Sequence, residues 1–214
     1  MNNIYDILKD KLNSKSIIIE CGGHLGTDTI KLSKIFNKGI IYCIEANINL
    51  YDKLKVKFNQ INNIKLFNFA LSNKNKIIDF YIDNNKDGDN GASSLLKCSD
   101  FYLKDYIKEK IKIKVQGMTL YNFLNKNKIQ KVNLLWLDVE GFEYYIIQNS
   151  INCLKNIEYI YTEVNFQEFR KEIKLYDDIK KLLLENNFKE INKWTQGGKF
   201  GEWQANILFK NINY

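Results

Sequence analysis

A β-branched run from Ser16 to Glu20 breaks directly into three glycines, Gly22, Gly23 and Gly26, and then into a helix-forming segment from Thr27 to Phe36. Ile30, Leu32 and Phe36 face inward on that helix, and Asn37-Lys38-Gly39 ends it. The same unit then recurs. Gly39 to Glu45 forms a second buried strand, Ile48 to Phe58 a second helix, and Ile64 to Phe69 a third strand. Strand, helix, strand, helix, strand in this order dictates parallel strands joined by right-handed crossovers. The pattern returns after residue 130. Val132 to Asp138 is a buried strand ending in a carboxylate, Glu143 to Gln148 starts a helix, and Ile157 to Glu163 is another strand ending in a carboxylate. Phe166 to Asn186 has a mainly helical pattern. Phe188 to Lys193 and Gln204 to Lys210 form two closing strands connected through Gly197, Gly198 and Gly201. The expected class is α/β.

Between these halves the pattern loosens. Lys76 to Ile82 and Ile111 to Val115 alternate as half-exposed strands, and Thr119 caps a helix that runs to Asn125. Asp83 to Ser99 is polar and carries Gly88 and Gly91, which makes residues 83–115 a candidate lid or insertion. Asn3 to Leu12 forms a short amphipathic helix at the start. With 214 residues and no linker or repeat, one domain spanning residues 1–214 is expected. The net charge of +7 would favour a polyanionic partner, but the basic residues are lysines apart from Arg170. A phosphate-reading surface uses arginine forks as well. Cys21, Cys43, Cys98 and Cys153 have no metal-site spacing and read as buried free thiols of a reducing, cytoplasmic compartment. No signal-peptide pattern or membrane-length apolar run appears, so no membrane partner is expected.

The first turn carries the chemistry. Glycines between a buried strand and a helix let the backbone turn sharply and let a ligand approach the main chain. The segment Glu20-Cys21-Gly22-Gly23-His24-Leu25-Gly26 is not the regular dinucleotide fingerprint, yet its context is the right one. Glu45 ends the second strand 23 residues after Gly22, where a carboxylate can accept both hydroxyls of a ribose. Glu20, just before the glycines, would repel a pyrophosphate and suits a cofactor bearing an ammonium group. These residues favour S-adenosylmethionine over NAD. The alternative is a sheet whose turn glycines only tighten packing.

Five segments together resemble the motifs of the FkbM-type S-adenosylmethionine-dependent methyltransferases. They are Glu20 to Gly26, Ile44-Glu45-Ala46-Asn47, Asn68-Phe69-Ala70-Leu71-Ser72, Leu135 to Glu143 and Ile160-Tyr161-Thr162-Glu163-Val164. The resemblance spans roughly residues 16–210. It implies a class I, Rossmann-like methyltransferase fold: a seven-stranded, mostly parallel sheet with helices on both faces and an antiparallel C-terminal strand. It also implies methylation of a hydroxyl, often on a sugar or glycan. Carried over by position, Glu20, Gly22 and Gly26 would line the methionine end of the cofactor. Glu45 would hold the ribose, Ala46, Ala70 and Leu71 would flank the adenine, and Asp138 would face the transferred methyl. Ser93 and Ser94 match an element placed near the cofactor. Gly23, Thr29, Asn47 and Ser94 complete the expected cofactor-binding set. The family commonly has Asp at position 20, Ala-Asn at 23 and 24, and often Lys at 136, where this chain has Glu20, Gly23-His24 and Trp136.

The titratable candidates at the carboxyl edge of the sheet are Asp138, Glu140, Glu163 and His24. Asp138 either serves as general base or acceptor-orienting group, or hydrogen-bonds the cofactor's ammonium or nearby amides. Glu140 would cap the next helix, and Glu163 would orient an acceptor hydroxyl. His24, the only histidine, is either a base or a locally bonded turn residue. Asp138 with Glu163 could hold a divalent ion, but two carboxylates do not establish a metal site. Trp194, Phe200 and Trp203 would offer an aromatic platform or pack in the core. The leading expectation is an O-methyltransferase acting on a glycan or small molecule. An RNA ribose 2′-O-methyltransferase and a non-catalytic cofactor-binding domain are the competing ones. Nucleic acid is not the favoured partner, because no arginine-rich patch occurs.

Overall fold

A computed structural model describes residues 3–82, 91–100, 111–198 and 201–214. The β-branched runs form the sheet where burial demands it. β1 (Ile17–Cys21), β2 (Ile40–Glu45), β3 (Ile64–Asn68), β7 (Val132–Leu137) and β8 (Ile157–Asn165) are parallel neighbours, and β10 (Gly201–Asn211) runs antiparallel between β8 and the edge strand β9 (Phe188–Gly198). The seven-stranded order is β3-β2-β1-β7-β8-β10-β9. The order in which strands join the sheet reverses between the parallel neighbours β1 and β7, so the loops after β1 and β7 open side by side at the sheet's carboxyl edge. That crevice is where ligands bind in such folds.

Helices cover both faces. α1 (Ile4–Lys11) and α2 (Thr27–Ile35) bury Ile4, Leu8 and Leu32 against Ile18, Ile41, Leu134 and Trp136. α3 (Ile48–Lys57) packs Leu54, with Phe58 just beyond its end, on Cys43. The opposite face carries α4 (Leu120–Lys126), α5 (Glu143–Asn149), the short α6 (Ile151–Leu154) and α7 (Tyr176–Glu185) over Ile19, Leu135, Ile160 and Ile207. Thr119 caps α4 by accepting the Asn122 amide at 3.3 Å. All four cysteines are buried and free. Among the described residues no helix is long and apolar enough to cross a membrane.

Three parts depart from the sequence-based expectation. β4 (Ala70–Leu71), β5 (Ile77–Ile82) and β6 (Ile111–Met118) form a second, three-stranded sheet in the order β4-β6-β5. The alternating pattern located β5 and β6 but not their pairing with a two-residue β4. The mainly helical expectation for residues 166–186 holds only from Tyr176. Before it, Cys98 bridges Arg170, and Glu172 adopts φ +65°, a backbone that an α-helix cannot contain. The helix starts where Asp178 accepts the Leu175 amide. The closing strands are also longer than the apolar pattern indicated. The candidate lid falls partly outside the described residues, at 83–90 and 101–110, as does Phe200.

Candidate active site

The glycine turn is built by contact rather than by flexibility. Gly22 has φ +91°, and a Cβ there would lie 1.9 Å from the Asp138 carbonyl oxygen. The loops after β1 and β7 therefore touch main chain to main chain. Asp138 N donates to Cys21 O at 3.1 Å, and Gly22 N donates to Ile44 O at 3.0 Å. Gly23 and Gly26 serve a different end. A Cβ on Gly23 would meet Cys43 Sγ at 2.5 Å, and one on Gly26 would meet Phe58 and Leu54 below 3 Å. These two glycines seat the turn against β2 and α3.

A cavity of about 240 Å³ opens at this crevice. Gly22, His24, Glu45, Ala46, Ala70, Leu71 and Asp138 all line it, together with Cys21, Ile44, Leu50, Phe69, Phe80, Gly91, Ser93, Leu95, Val139 and Glu140. Seven of the expected site residues thus line one cavity. The small sheet supplies the apolar side through Ala70, Leu71 and Phe80.

Glu45 is almost fully buried and already tied to main chain. Its Oε2 accepts the His24 amide at 2.8 Å, and its Oε1 accepts the Asn47 amide at 2.7 Å. Burial raises its pKa, and the two amide donors oppose that rise. Glu45 thereby fixes the turn's geometry and still presents a carboxylate to the cavity. Asn47 acts from outside the cavity, because its side chain caps α3 through the Asn49 amide at 3.0 Å. His24 holds the left-handed φ of +45° that the turn requires.

Glu20 is not where the resemblance put it. Alternation along β1 turns it to the face of Ile18, under α2, with Thr29 and Asp28 as neighbours. Its Oε2 is buried and makes no hydrogen bond, and desolvation pushes its pKa up to about 8. Thr29 is fully buried beside it and does not line the cavity. Ser94 is also fully buried and outside the lining; its hydroxyl donates to Glu140 O at 2.8 Å, whereas Ser93 faces the cavity.

Asp138 and Glu140 make part of the cavity lining acidic, and Glu163 lies next to them without itself lining it. Carboxylate oxygens of Asp138, Glu140 and Glu163 lie within 4.8 Å of one another. Burial and the Glu140 charge raise the Asp138 pKa, and the same causes raise Glu163. Glu163 accepts Gln204 Nε2 at 3.0 Å. Glu140 does not cap α5. It sits at φ +58° with Oε2 on Arg170 Nη2 at 2.9 Å, so the cluster contains a salt-bridged member rather than three free carboxylates. Glu143, the first residue of α5, accepts the Val139 amide at 2.9 Å through Oε1 and holds the Asp138 turn, and no side chain caps the helix. Trp136 is packed between Tyr5 and Tyr161, and Trp194 lies edge-on to Tyr161 at 5.8 Å. Those aromatics belong to the α1 side of the core. Arg170, which ties Glu140 in place, carries no local motif and was not among the expected site residues.

The lining decides which cofactor fits. The lining combines a buried carboxylate held by the glycine turn, a set of apolar side chains, and the acidic pair Asp138 and Glu140. A ribose, a flat base and a cationic amino-acid tail match those three features. A pyrophosphate would meet Glu45, Asp138 and Glu140 with no lysine or arginine among the described lining residues to offset them.

Comparison with known proteins agrees with this geometry. The family model described as the methyltransferase FkbM domain matches residues 20–190. A curated relative, the 2-O-methyltransferase NoeI of Sinorhizobium fredii, is 25% identical over 157 residues, covering 71% of this chain and 64% of the relative. The chain thus spans just under two thirds of that relative's length. Among solved structures, magnesium protoporphyrin IX methyltransferase (ChlM) from Synechocystis PCC 6803, with S-adenosylmethionine bound, superposes with a TM-score of 0.57 at 10% identity, covering 97% of this chain and 76% of that one. Methyltransferase FkbM from Methylobacillus flagellatus KT superposes with a TM-score of 0.53 at 10% identity, covering 92% of this chain and 44% of that one. The structural likeness establishes the class I methyltransferase fold, and the match over residues 20–190 establishes that the chain belongs to the FkbM methyltransferase family.

Proposed function

We propose that this domain binds S-adenosylmethionine in the Glu45–Asp138 cavity and transfers its methyl group to a hydroxyl of a sugar, glycan or related small molecule. The observation that carries the reading is one cavity lined by the glycine turn, by the amide-held Glu45 and by Asp138 and Glu140, with Glu163 close behind them. The 2-O-methyltransferase relative supports a hydroxyl acceptor.

When bound, S-adenosylmethionine supplies a methyl group on a sulfonium, which needs alignment more than activation. The chain's residues provide that alignment. Glu45 accepts the ribose hydroxyls, and the amides of His24 and Asn47 keep its carboxylate in place. Ala46, Ala70 and Leu71 form the apolar bed for the base. Asp138 takes the proton of the acceptor hydroxyl as its oxygen forms the new bond to carbon. Burial makes Asp138 a stronger base than an exposed aspartate. Glu163, oriented by Gln204, holds the acceptor through a second hydrogen bond.

Thermal unfolding with added ligands tests the cofactor. S-adenosylmethionine and S-adenosylhomocysteine at a hundredfold excess over Kd should stabilise the protein by about 2.7 kcal/mol, with NAD inert. Stabilisation by NAD alone would overturn the reading. Labelled methyl recovered on hydroxylated glycans supports the acceptor class, whereas salt-sensitive labelling of RNA would replace it.

A further inference from the structure

The only arginine of the chain lies inside the fold. Arg170 is 3% exposed and comes from the segment between β8 and α7, which contributes nothing to the cavity lining. Its Nε donates to Glu140 O at 3.2 Å. Nη2 reaches Glu140 Oε2 at 2.9 Å and Ala92 O at 2.7 Å, and Nη1 donates to Cys98 Sγ at 3.0 Å. The backbones beside it are paired as well, Ser99 N to Phe169 O and Lys171 N to Lys97 O. Gly141, at φ +100°, leaves room for the stem, since a Cβ there would lie 3.2 Å from Arg170 Cγ.

A buried ion pair is a poor device for stability alone, because desolvation offsets most of its attraction. The positions of its partners give it another purpose. Ala92 sits between Gly91 and Ser93, which line the cavity on one side, and Glu140 lines it on the other. Ser94 adds a second tie to Glu140 O from the same segment. One planar fork therefore grips both the turn that carries Glu140 and the segment that carries Ala92, with the Ser94 bond beside it.

We infer that Arg170 is a positioning residue that clasps segment 91–98 to the turn after β7 and so holds the Asp138 end of the cofactor cavity closed. The inference rests on the proposed cofactor reading. Arg170 touches neither cofactor nor acceptor; it acts through Glu140 and Ala92.

Calorimetric titration of the full chain with S-adenosylhomocysteine tests it. Arg170→Ala should weaken binding roughly tenfold or more, and Arg170→Lys, which keeps charge but not the fork, should fall between it and the wild type. Millimolar guanidinium should restore binding to Arg170→Ala and leave the wild type unchanged. Affinity of Arg170→Ala within about twofold of wild type would overturn the clasp, as would a loss that guanidinium does not rescue. If Arg170→Ala does not fold, Cys98→Ala together with Arg170→Lys carries the test, and undiminished affinity in both overturns it. A wild type that binds neither S-adenosylmethionine nor its product sinks the cofactor reading instead. Amide exchange across residues 94–99, measured without ligand, then reads the clasp directly: unchanged exchange in Arg170→Lys would remove it.

Discussion

Gly22 and Asp138 set the tolerance of the site. Any side chain at position 22 would collide with the Asp138 carbonyl and would also hold an unfavourable positive φ. Gly22→Ala should therefore destabilise the protein by at least about 2 kcal/mol in chemical denaturation. Asp138→Asn keeps size and shape, so affinity for S-adenosylhomocysteine should stay within about twofold while methyl transfer drops by roughly 10²- to 10⁴-fold. The wild-type rate should also rise with pH. Burial and the Glu140 charge hold the Asp138 proton beyond the usual carboxylate range, and only the ionised form accepts a proton. A transfer rate that is flat between about pH 5 and 8 would remove Asp138 from the base role.

At the scale of elements, α4 stands behind the apolar wall of the cavity. Phe123 lies 5.8 Å from the Tyr42 ring, 5.2 Å from Phe67 and 5.5 Å from Phe69, and so joins α4 to β2, β3 and the cavity-lining Phe69. Phe123→Ala should cost about 3–5 kcal/mol of stability, read by urea denaturation. The elements themselves were largely legible in the sequence, because buried parallel strands are continuous apolar runs that end where burial ends. Glu45 was legible for the same reason, as a carboxylate closing such a run. The packing role of Gly23 and Gly26 was not legible, since a glycine required by Cys43 or Phe58 looks the same in sequence as one required by a ligand. Glu20 was misassigned by a resemblance that carries position but not the direction of the side chain. Arg170 was invisible because its partners Cys98, Ala92 and Glu140 stand 72, 78 and 30 residues away. Its being the chain's single arginine was the one available signal.

The whole molecule carries an unusual load of buried acid. Glu20 and Glu143 are nearly inaccessible, and desolvation raises each from 4.5 to about 8. A raised folded-state pKa means that the folded protein binds the proton more tightly than the unfolded chain. The stabilisation is thus complete below the unfolded value near 4.5 and is lost as pH rises through about 8. Unfolding free energy should fall across this window by up to about 1.4 kcal/mol per pH unit for each group. Glu20→Gln should flatten the slope in urea titrations run across that range, and an unaltered slope would mean that Glu20 keeps its charge in the fold.

The contact between the first turn and the loop after β7 has a consequence for how such a protein diversifies. The bonds from Gly22 to Ile44 and from Asp138 to Cys21 involve no side chain. With glycine kept at position 22, the main-chain contact between the first turn and the Asp138 loop is therefore independent of the side chains around it. Phe80, Ser93 and Leu95 can change and reshape the cavity while that contact stays fixed. A lineage built this way can change its substrate one wall residue at a time without passing through a form that has lost its alignment.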